Sequence, residues 1–76
     1  MDAKTLDARG LRCPLPVLKA RKALKEVADG DVLHVLATDP GAVKDFEAFC
    51  RTAGHRLIGF QEADGVYDFV IEKTAR

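Results

Sequence analysis

Apolar and polar positions change period several times along this chain, and each change predicts an element. Lys4-Thr5-Leu6-Asp7-Ala8 alternates weakly and predicts a short strand, closed by Gly10. Residues 14–27 then follow a helical period. Val17, Ala20, Ala23, Leu24 and Val27 fall on one face, with Lys19, Lys22, Lys25 and Glu26 opposite. Leu15 and Leu18 project to the polar side, near the start of the helix. Asp29-Gly30-Asp31 is a turn. The short run Val32-Leu33-His34-Val35-Leu36-Ala37 is almost unbroken in its apolarity and predicts a central strand. His34 is expected to face the side of the sheet without helices rather than to serve as a base.

Thr38-Asp39-Pro40-Gly41 signals a second helix start, with Asp39 as cap and Pro40 at the first helical position. Val43, Phe46, Phe49, Cys50 and Ala53 form its apolar face, and Gly54 stands where a C′ glycine ends a helix. Cys50 therefore reads as a small buried hydrophobe. His55 follows the helix end, where the dipole tolerates a cation. Arg56–Glu62 predicts a strand with Gly59 as a candidate bulge. Asp64-Gly65 is a hairpin signal, and Val66–Glu72 alternates with Tyr67, Phe69 and Ile71 on one face. The tail from Lys73 to Arg76 is expected to fray.

The predicted order is β-α-β-α-β-β. Two helices with one apolar face each imply an α/β (α+β) two-layer sandwich: a four-stranded mixed sheet with both helices packed on one face. The first crossover makes its strands parallel if they share a sheet, and the hairpin makes the last two antiparallel. Strand order does not follow from the pattern. The 76 residues are expected to form a single domain, 1–76, with no room for a second core.

Charge modifies this picture. The formal net charge is zero, which argues against direct nucleic-acid binding. Residues 1–28 carry seven Lys/Arg and three Asp/Glu, a balance of +4, whereas residues 29–76 carry five and nine, a balance of −4. A basic rim around the first helix could steer an acidic partner. The opening residues resemble no secretion signal, and no apolar run reaches membrane-spanning length, so a cytoplasmic, membrane-free chain is expected. Two cysteines 37 positions apart form neither a CxxC pair nor half of a zinc site, and no metal is expected.

The chemistry concentrates in Arg9-Gly10-Leu11-Arg12-Cys13-Pro14-Leu15-Pro16-Val17. Proline suits the first helical position, and the residue before it is pushed toward the extended conformation that an N-cap adopts. Cys13 is thus predicted to cap a helix opening at Pro14. Helix N-termini and nearby cations lower a thiol pKa from its reference of ~8.5, so a depressed Cys13 pKa is expected, with Arg9 and Arg12 supplying charge if they turn toward the sulfur. Pro14 and Pro16 remove two donors from the first turn, which leaves the Leu15 N–H as the expected donor to the sulfur. No carboxylate or histidine spacing points to a general base.

Leu6-Asp7-Ala8-Arg9-Gly10-Leu11-Arg12-Cys13-Pro14-Leu15-Pro16-Val17 resembles the TusA (SirA-like) sulfur-carrier family. Its hallmark is Cys-Pro-x-Pro at the start of the first helix after a D-x-x-G-L-x run. Asp39-Pro40, Phe49-Cys50 and the terminal hairpin extend the resemblance over essentially the whole chain. It implies a β-α-β-α-β-β fold like the C-terminal domain of translation initiation factor three. It also implies that Cys13 carries sulfane sulfur as a persulfide, with Arg9, Gly10, Arg12, Pro14, Leu15 and Pro16 as the supporting motif. No dissociable cofactor is implied, only sulfur held covalently. The implied partners are a donor (a cysteine desulfurase or rhodanese-like protein) and an acceptor in tRNA thiolation, sulfur oxidation or cofactor assembly. The protein would act as a monomeric carrier rather than as a stand-alone enzyme. Lys19, Lys22, Leu15 and Leu18 are the expected docking residues. The alternative is a thiol redox or regulatory module using the same exposed cysteine.

Overall fold

The computed structural model describes residues 4–74. Its elements are β1 (Lys4–Ala8), α1 (Leu15–Leu24), β2 (Val32–Ala37), α2 (Ala42–Ala53), β3 (Arg56–Ala63) and β4 (Val66–Glu72). They form one four-stranded sheet in the order β1-β2-β4-β3. β1 pairs parallel with β2, whereas β4 pairs antiparallel with both β2 and β3. The element order and the mixed sheet agree with the sequence reading, and the structure supplies the strand order.

Alternation along β2 explains its central place. Leu33, Val35 and Ala37 are buried on the helix side, while Val32, His34 and Leu36 are half-buried on the other. The hairpin partner β4 repeats the pattern with Phe69 and Ile71 buried. Phe46 of α2 meets Phe69 with ring centroids 4.6 Å apart and an interplanar angle of 31°. Ala20 and Leu24 of α1 complete the same cluster. His34 faces away from the helices, and its Nδ1 lies 3.2 Å from Asp68 Oδ1. The hairpin turn has positive φ at both Asp64 (53°) and Gly65 (81°), the geometry that matches the twist of two paired strands. The register of β3 slips between Leu57 and Gly59, so Ile58 is the bulged residue beside the predicted Gly59.

Several expectations shift at the ends of elements. α1 closes at Leu24 rather than at residue 27. The N–H groups of Lys25, Glu26 and Val27 then bond carbonyls three residues back, at 3.2, 3.0 and 3.2 Å. This tighter turn still delivers Val27 to the core. On α2, Ala53 is exposed, and Ala42 is buried in the first turn instead. Gly54 ends α2 with φ +84° and donates its N–H to the Cys50 carbonyl at 2.9 Å. Lys73 and Thr74 are tied back to the fold by hydrogen bonds, where the sequence predicts a loose tail. Gly30 donates its N–H to the Lys73 carbonyl at 2.8 Å, Lys73 donates its backbone N–H to the Asp31 carbonyl at 2.9 Å, and Thr74 Oγ1 donates to the Gly54 carbonyl. Ala75 and Arg76, which the sequence also assigned to a frayed tail, lie outside the described residues.

The core predicts a sharp contrast between two apolar positions. Phe69 is fully buried, whereas Ile58 is 52% exposed on the bulge. Phe69→Ala should lose about 3–5 kcal/mol, enough to threaten folding in so small a domain. Ile58→Ala should change stability by about 0.5 kcal/mol or less. Urea unfolding of both variants checks this, and similar losses would show that the open face of the sheet is covered in solution.

Candidate functional site

Parallel pairing of β1 with β2 brings the carboxyl ends of both strands to one edge of the sheet. The loop after each strand, residues 9–14 and 38–41, therefore lies beside the other. Hydrogen bonds join them. Gly10, at φ +81°, donates its N–H to Thr38 Oγ1 at 2.9 Å. Cys13 donates its N–H to Asp39 Oδ2 at 2.8 Å. The other Asp39 oxygen accepts the Gly41 N–H at 2.9 Å. Asp39 thus spans two chain segments with one carboxylate. These backbone donors from Cys13 and Gly41 hold its carboxyl below the ordinary value, and Arg12 adds a smaller contribution.

This arrangement changes the predicted role of Asp39. The helix begins at Ala42 with Gly41 as N-cap, and no side chain caps it. Pro40 and Gly41 form a turn before the helix, so Asp39 reaches Gly41 and crosses to Cys13 rather than reaching into the first turn of α2. Asp39 still serves the helix start through its main chain, because its carbonyl accepts the Ala42 N–H at 2.9 Å.

Cys13 itself is half-buried and packs against the core margin with Leu11, Val17 and Val43. The N-cap of α1 is Pro14 (φ −96°, ψ 18°), one residue later than the sequence predicts. Cys13 and Pro14 share a turn closed by the Leu15 N–H, which donates to the Arg12 carbonyl at 2.8 Å. The expected bond from Leu15 to the sulfur is consequently absent. The Cys13–Pro14 peptide bond is cis. Pro16 is buried beneath the first turn, while Leu15 and Leu18 are 47% and 50% exposed. Three residues apart, they share a side of α1.

The predicted cationic surroundings of the sulfur are not formed. Arg9 grips Asp7 instead, through Nε to Oδ1 and Nη2 to Oδ2, both at 2.9 Å. That pair pulls the Asp7 carboxyl down to about 2, chiefly through the Arg9 side-chain bond. Arg12 is exposed. The sulfur's close neighbours lie on the other loop and on the first turn of α2. A methyl group in place of the Gly41 hydrogen would stand 3.5 Å from Cys13 Sγ and 3.5 Å from Asp39 Oδ1. Burial, then Asp45 by hydrogen bond and charge, then Asp39 push the Cys13 thiol up to about 12. The depressed pKa read from the sequence is therefore corrected. Two carboxylates oppose ionisation, and the arginines are turned elsewhere or remain in solvent.

Lys19 and Lys22 are exposed and, with Lys4 and Glu26, rim a groove of about 360 Å³ between α1 and β1. Lys4 and Glu26 are paired at 3.7 Å. Lys19 and Lys22, which the sequence reading expects to dock a partner, stand six and nine residues beyond Cys13 in the chain. Cys50 is buried at 3% exposure, and burial alone pushes its thiol up to about 11. Among the described residues, no group of three or more His, Cys, Asp or Glu side chains is placed to hold a metal. No helix among them is long and apolar enough to cross a membrane.

The sequence reading took Thr38 and Gly41 only as part of a helix start and Asp39 as its cap, and gave Asp45 no part in the site. A signal existed. A strand–helix–strand unit with parallel strands must set its two βα loops side by side, so Thr38-Asp39-Pro40-Gly41 had to face the Cys13 loop.

Comparison with known proteins agrees with this fold. The family model described as sulfurtransferase TusA matches residues 4–73, and the chain belongs to that family. A protein of Neisseria meningitidis serogroup A, provisionally named a sulfur carrier, is 57% identical over 72 residues, covering 95% of this chain and 97% of its own. The sulfur carrier protein TusA of Allochromatium vinosum is 52% identical over 69 residues, or 91% of each chain. The crystal structure of a SirA-like protein from Desulfitobacterium hafniense superposes with a TM-score of 0.82 at 31% identity, over 96% of this chain and 99% of that one.

The Asp39 bridge generates a pH-dependent prediction. A carboxylate whose folded pKa is depressed contributes stability that is present above its unfolded pKa, ~3.9, and lost as pH falls through the lower folded value. Asp39→Asn should therefore lower the melting temperature at pH 7. The difference from the unaltered protein should shrink as the pH is taken below 3. Calorimetry at both pH values checks this, and a difference independent of pH would assign the loss to shape rather than charge.

Proposed function

We propose that the protein accepts sulfane sulfur as a persulfide on Cys13 and relays it to an acceptor protein. What supports this most directly is the place of Cys13. It lies in the family's Cys-Pro-x-Pro motif, partly open to solvent, where two backbone-tied loops fix it at the head of α1. Only the thiolate attacks. It would bond to the outer sulfur of a donor persulfide, the donor's own sulfur–sulfur bond would break, and the donor would leave as a thiolate. An acceptor thiolate would later take the outer sulfur by the same displacement and regenerate Cys13. The donor fits a cysteine desulfurase or rhodanese-like protein, and the acceptor belongs to tRNA thiolation, sulfur oxidation or cofactor assembly. Sulfur held covalently needs no dissociable cofactor, and we assign the relay to a cytoplasmic monomer.

The redox-module reading is weaker at this cysteine. A sensor must ionise alone in solvent before it can form a sulfenic acid. The two carboxylates beside Cys13 oppose that. In the carrier reading, ionisation is needed only once a donor is bound.

Loading is tested by incubating the protein with a cysteine desulfurase and cysteine, followed by intact-mass and peptide mass spectrometry. One added sulfur should appear on Cys13. Cys13→Ser should abolish it, and Cys50→Ala should not. Sulfur found on Cys50 would overturn the proposal.

Docking is assigned to the exposed side of α1, where Leu15 and Leu18 are exposed in the first turns after Cys13 and Lys19 and Lys22 carry the charge. Rim charges act mainly on association rate, and screening acts over ~8 Å at physiological ionic strength. Lys19→Glu with Lys22→Glu should slow transfer to an acidic acceptor several-fold at low salt, with the defect shrinking as salt rises. Stopped-flow transfer rates over a salt series check this. Rates insensitive to salt and to both reversals would make docking apolar and centre it on Leu15 and Leu18.

A further inference from the structure

The chemistry proposed for Cys13 is displacement at sulfur, and such displacement is directional. The attacking sulfur, the sulfur attacked and the sulfur that leaves lie close to one line. A cysteine that serves as attacker and later as leaving group therefore needs an open path from Sγ to solvent. The structure restricts where that path can run. Cys13 is half-buried and packs at the core margin with Leu11, Val17 and Val43. Its N–H is tied to Asp39 Oδ2 at 2.8 Å, so turning the whole residue outward would break that bond.

Gly41 borders the sulfur on another side. A Cβ at Gly41 would stand 3.5 Å from Cys13 Sγ, 4.0 Å from Cys13 Cβ and 3.5 Å from Asp39 Oδ1. Gly41 is itself exposed, so the space left by its missing side chain opens to solvent. That space is a recess with the thiol on one side and Asp39 Oδ1 on the other. The Asp39 wall is fixed, because the same oxygen accepts the Gly41 N–H at 2.9 Å.

The backbone does not call for glycine here. Unlike Gly10 and Gly54, whose φ is positive, Gly41 has φ −67° and ψ −14°, helical values that any residue adopts. Sterics in the unloaded protein do not call for it either. Contacts of 3.5 Å are ordinary van der Waals distances, so a methyl group would fit beside the bare thiol. A loaded cysteine is larger, because an outer sulfur stands ~2.05 Å beyond Sγ. Turned toward the recess, that sulfur would press into any side chain carried there. A Cβ at Gly10, Gly30, Gly59 or Gly65 would meet nothing within 4 Å, so among these positions only Gly41 leaves its space at the thiol.

We propose that Gly41 sets access to Cys13: its missing side chain keeps open the recess through which a persulfide sulfur on a partner protein reaches Sγ and through which the outer sulfur is later withdrawn. The proposal rests on Cys13 being the sulfur-bearing residue and adds the side from which that residue is served. Gly41 acts through space it leaves empty, as a positioning residue.

Two thiol reagents of different bulk test this with no sulfur donor present. With iodoacetamide, the thiol proton passes to solvent, the sulfur electron pair forms the S–C bond, and iodide leaves. With 4,4′-dithiodipyridine, a neutral disulfide carrying an aromatic ring on each sulfur, the Cys13 thiolate bonds to one sulfur, the reagent's S–S bond breaks, and pyridinethiolate leaves. The second reaction has the geometry of sulfur loading. Both rates rise with the thiolate fraction, so their ratio at one pH reports access. The protein carrying Cys50→Ala is used, so that Cys13 is the one thiol. Adding Gly41→Leu should slow the disulfide reaction about tenfold or more and alkylation by about threefold at most. Gly41→Val should lower the ratio in the same direction and serves if the Leu variant fails to fold, which circular dichroism reports. A substitution that only loosened the fold or shifted ionisation of the thiol would move both rates together.

Two results overturn the proposal. One is a ratio equal to the parent's in either folded variant, whether both rates hold or fall together. The other is a parent ratio about tenfold or more below that of glutathione, which would show the path to Sγ already closed to a disulfide without any variant. Neither result bears on whether Cys13 loads sulfur from a desulfurase. A failure of loading would in turn leave the reagent ratios as they are.

Discussion

The site depends on the parallel pairing of β1 with β2. Parallel neighbours send their carboxyl ends to the same edge, and each is followed by a loop and a helix. Two loops and two helix starts are thereby forced together with no contribution from the residues that later do chemistry. The Asp39 carboxylate exploits that proximity by accepting one N–H from each loop. Charge-assisted bonds of this kind are shorter and stronger than neutral ones. The cysteine is therefore positioned through its own backbone, with no bond to the sulfur required.

The sheet and helices were legible because burial imposes its period on the residues. β1, β2 and β4 fall where alternation or an apolar run placed them, since a strand with one covered face must repeat every second residue. Strand order was not legible. The covered faces of β2 and β4 look alike in sequence, and nothing local distinguishes a central neighbour from an edge. The β4 insertion between β2 and β3 was visible only in the fold. Helix ends moved for a related reason. The residues after Leu24 keep the apolar rhythm because Val27 is still buried, although the backbone has already tightened into three-residue turns.

The site was half legible. Cys13, its prolines and Gly10 stand together in the chain, so their association needed no tertiary knowledge. The sulfur's electrostatics did need it. Reading Arg9 and Arg12 as neighbours of the thiol used distance along the chain in place of distance in space. Asp7, two residues from Arg9 and on the same strand end, offered that guanidinium a two-pronged partner at much lower cost. Asp45 is 32 positions from Cys13 and influences the thiol only because α2 starts beside the Cys13 loop.

Helix dipole and carboxylates pull the sulfur in opposite directions, and their sizes decide the outcome. A helix N-terminus amounts to roughly half an elementary charge, expressed through its free N–H groups. At α1 that charge is blunted further: Pro14 and Pro16 contribute no N–H, and the Leu15 N–H is already bonded to Arg12. Asp39 and Asp45 are each a whole charge. The same prolines that announce a helix start in the sequence therefore weaken the electrostatic help that such a start gives a thiolate. Cys13 consequently stands at a boundary, with the basic face of α1 on one side and the acidic start of α2 on the other. The lysines of α1 and the carboxylates that raise the thiol come from different halves of the chain. A partner drawn to the lysines of α1 does not by its attraction alone make the thiol reactive. In the proposed relay the two steps can therefore be separated.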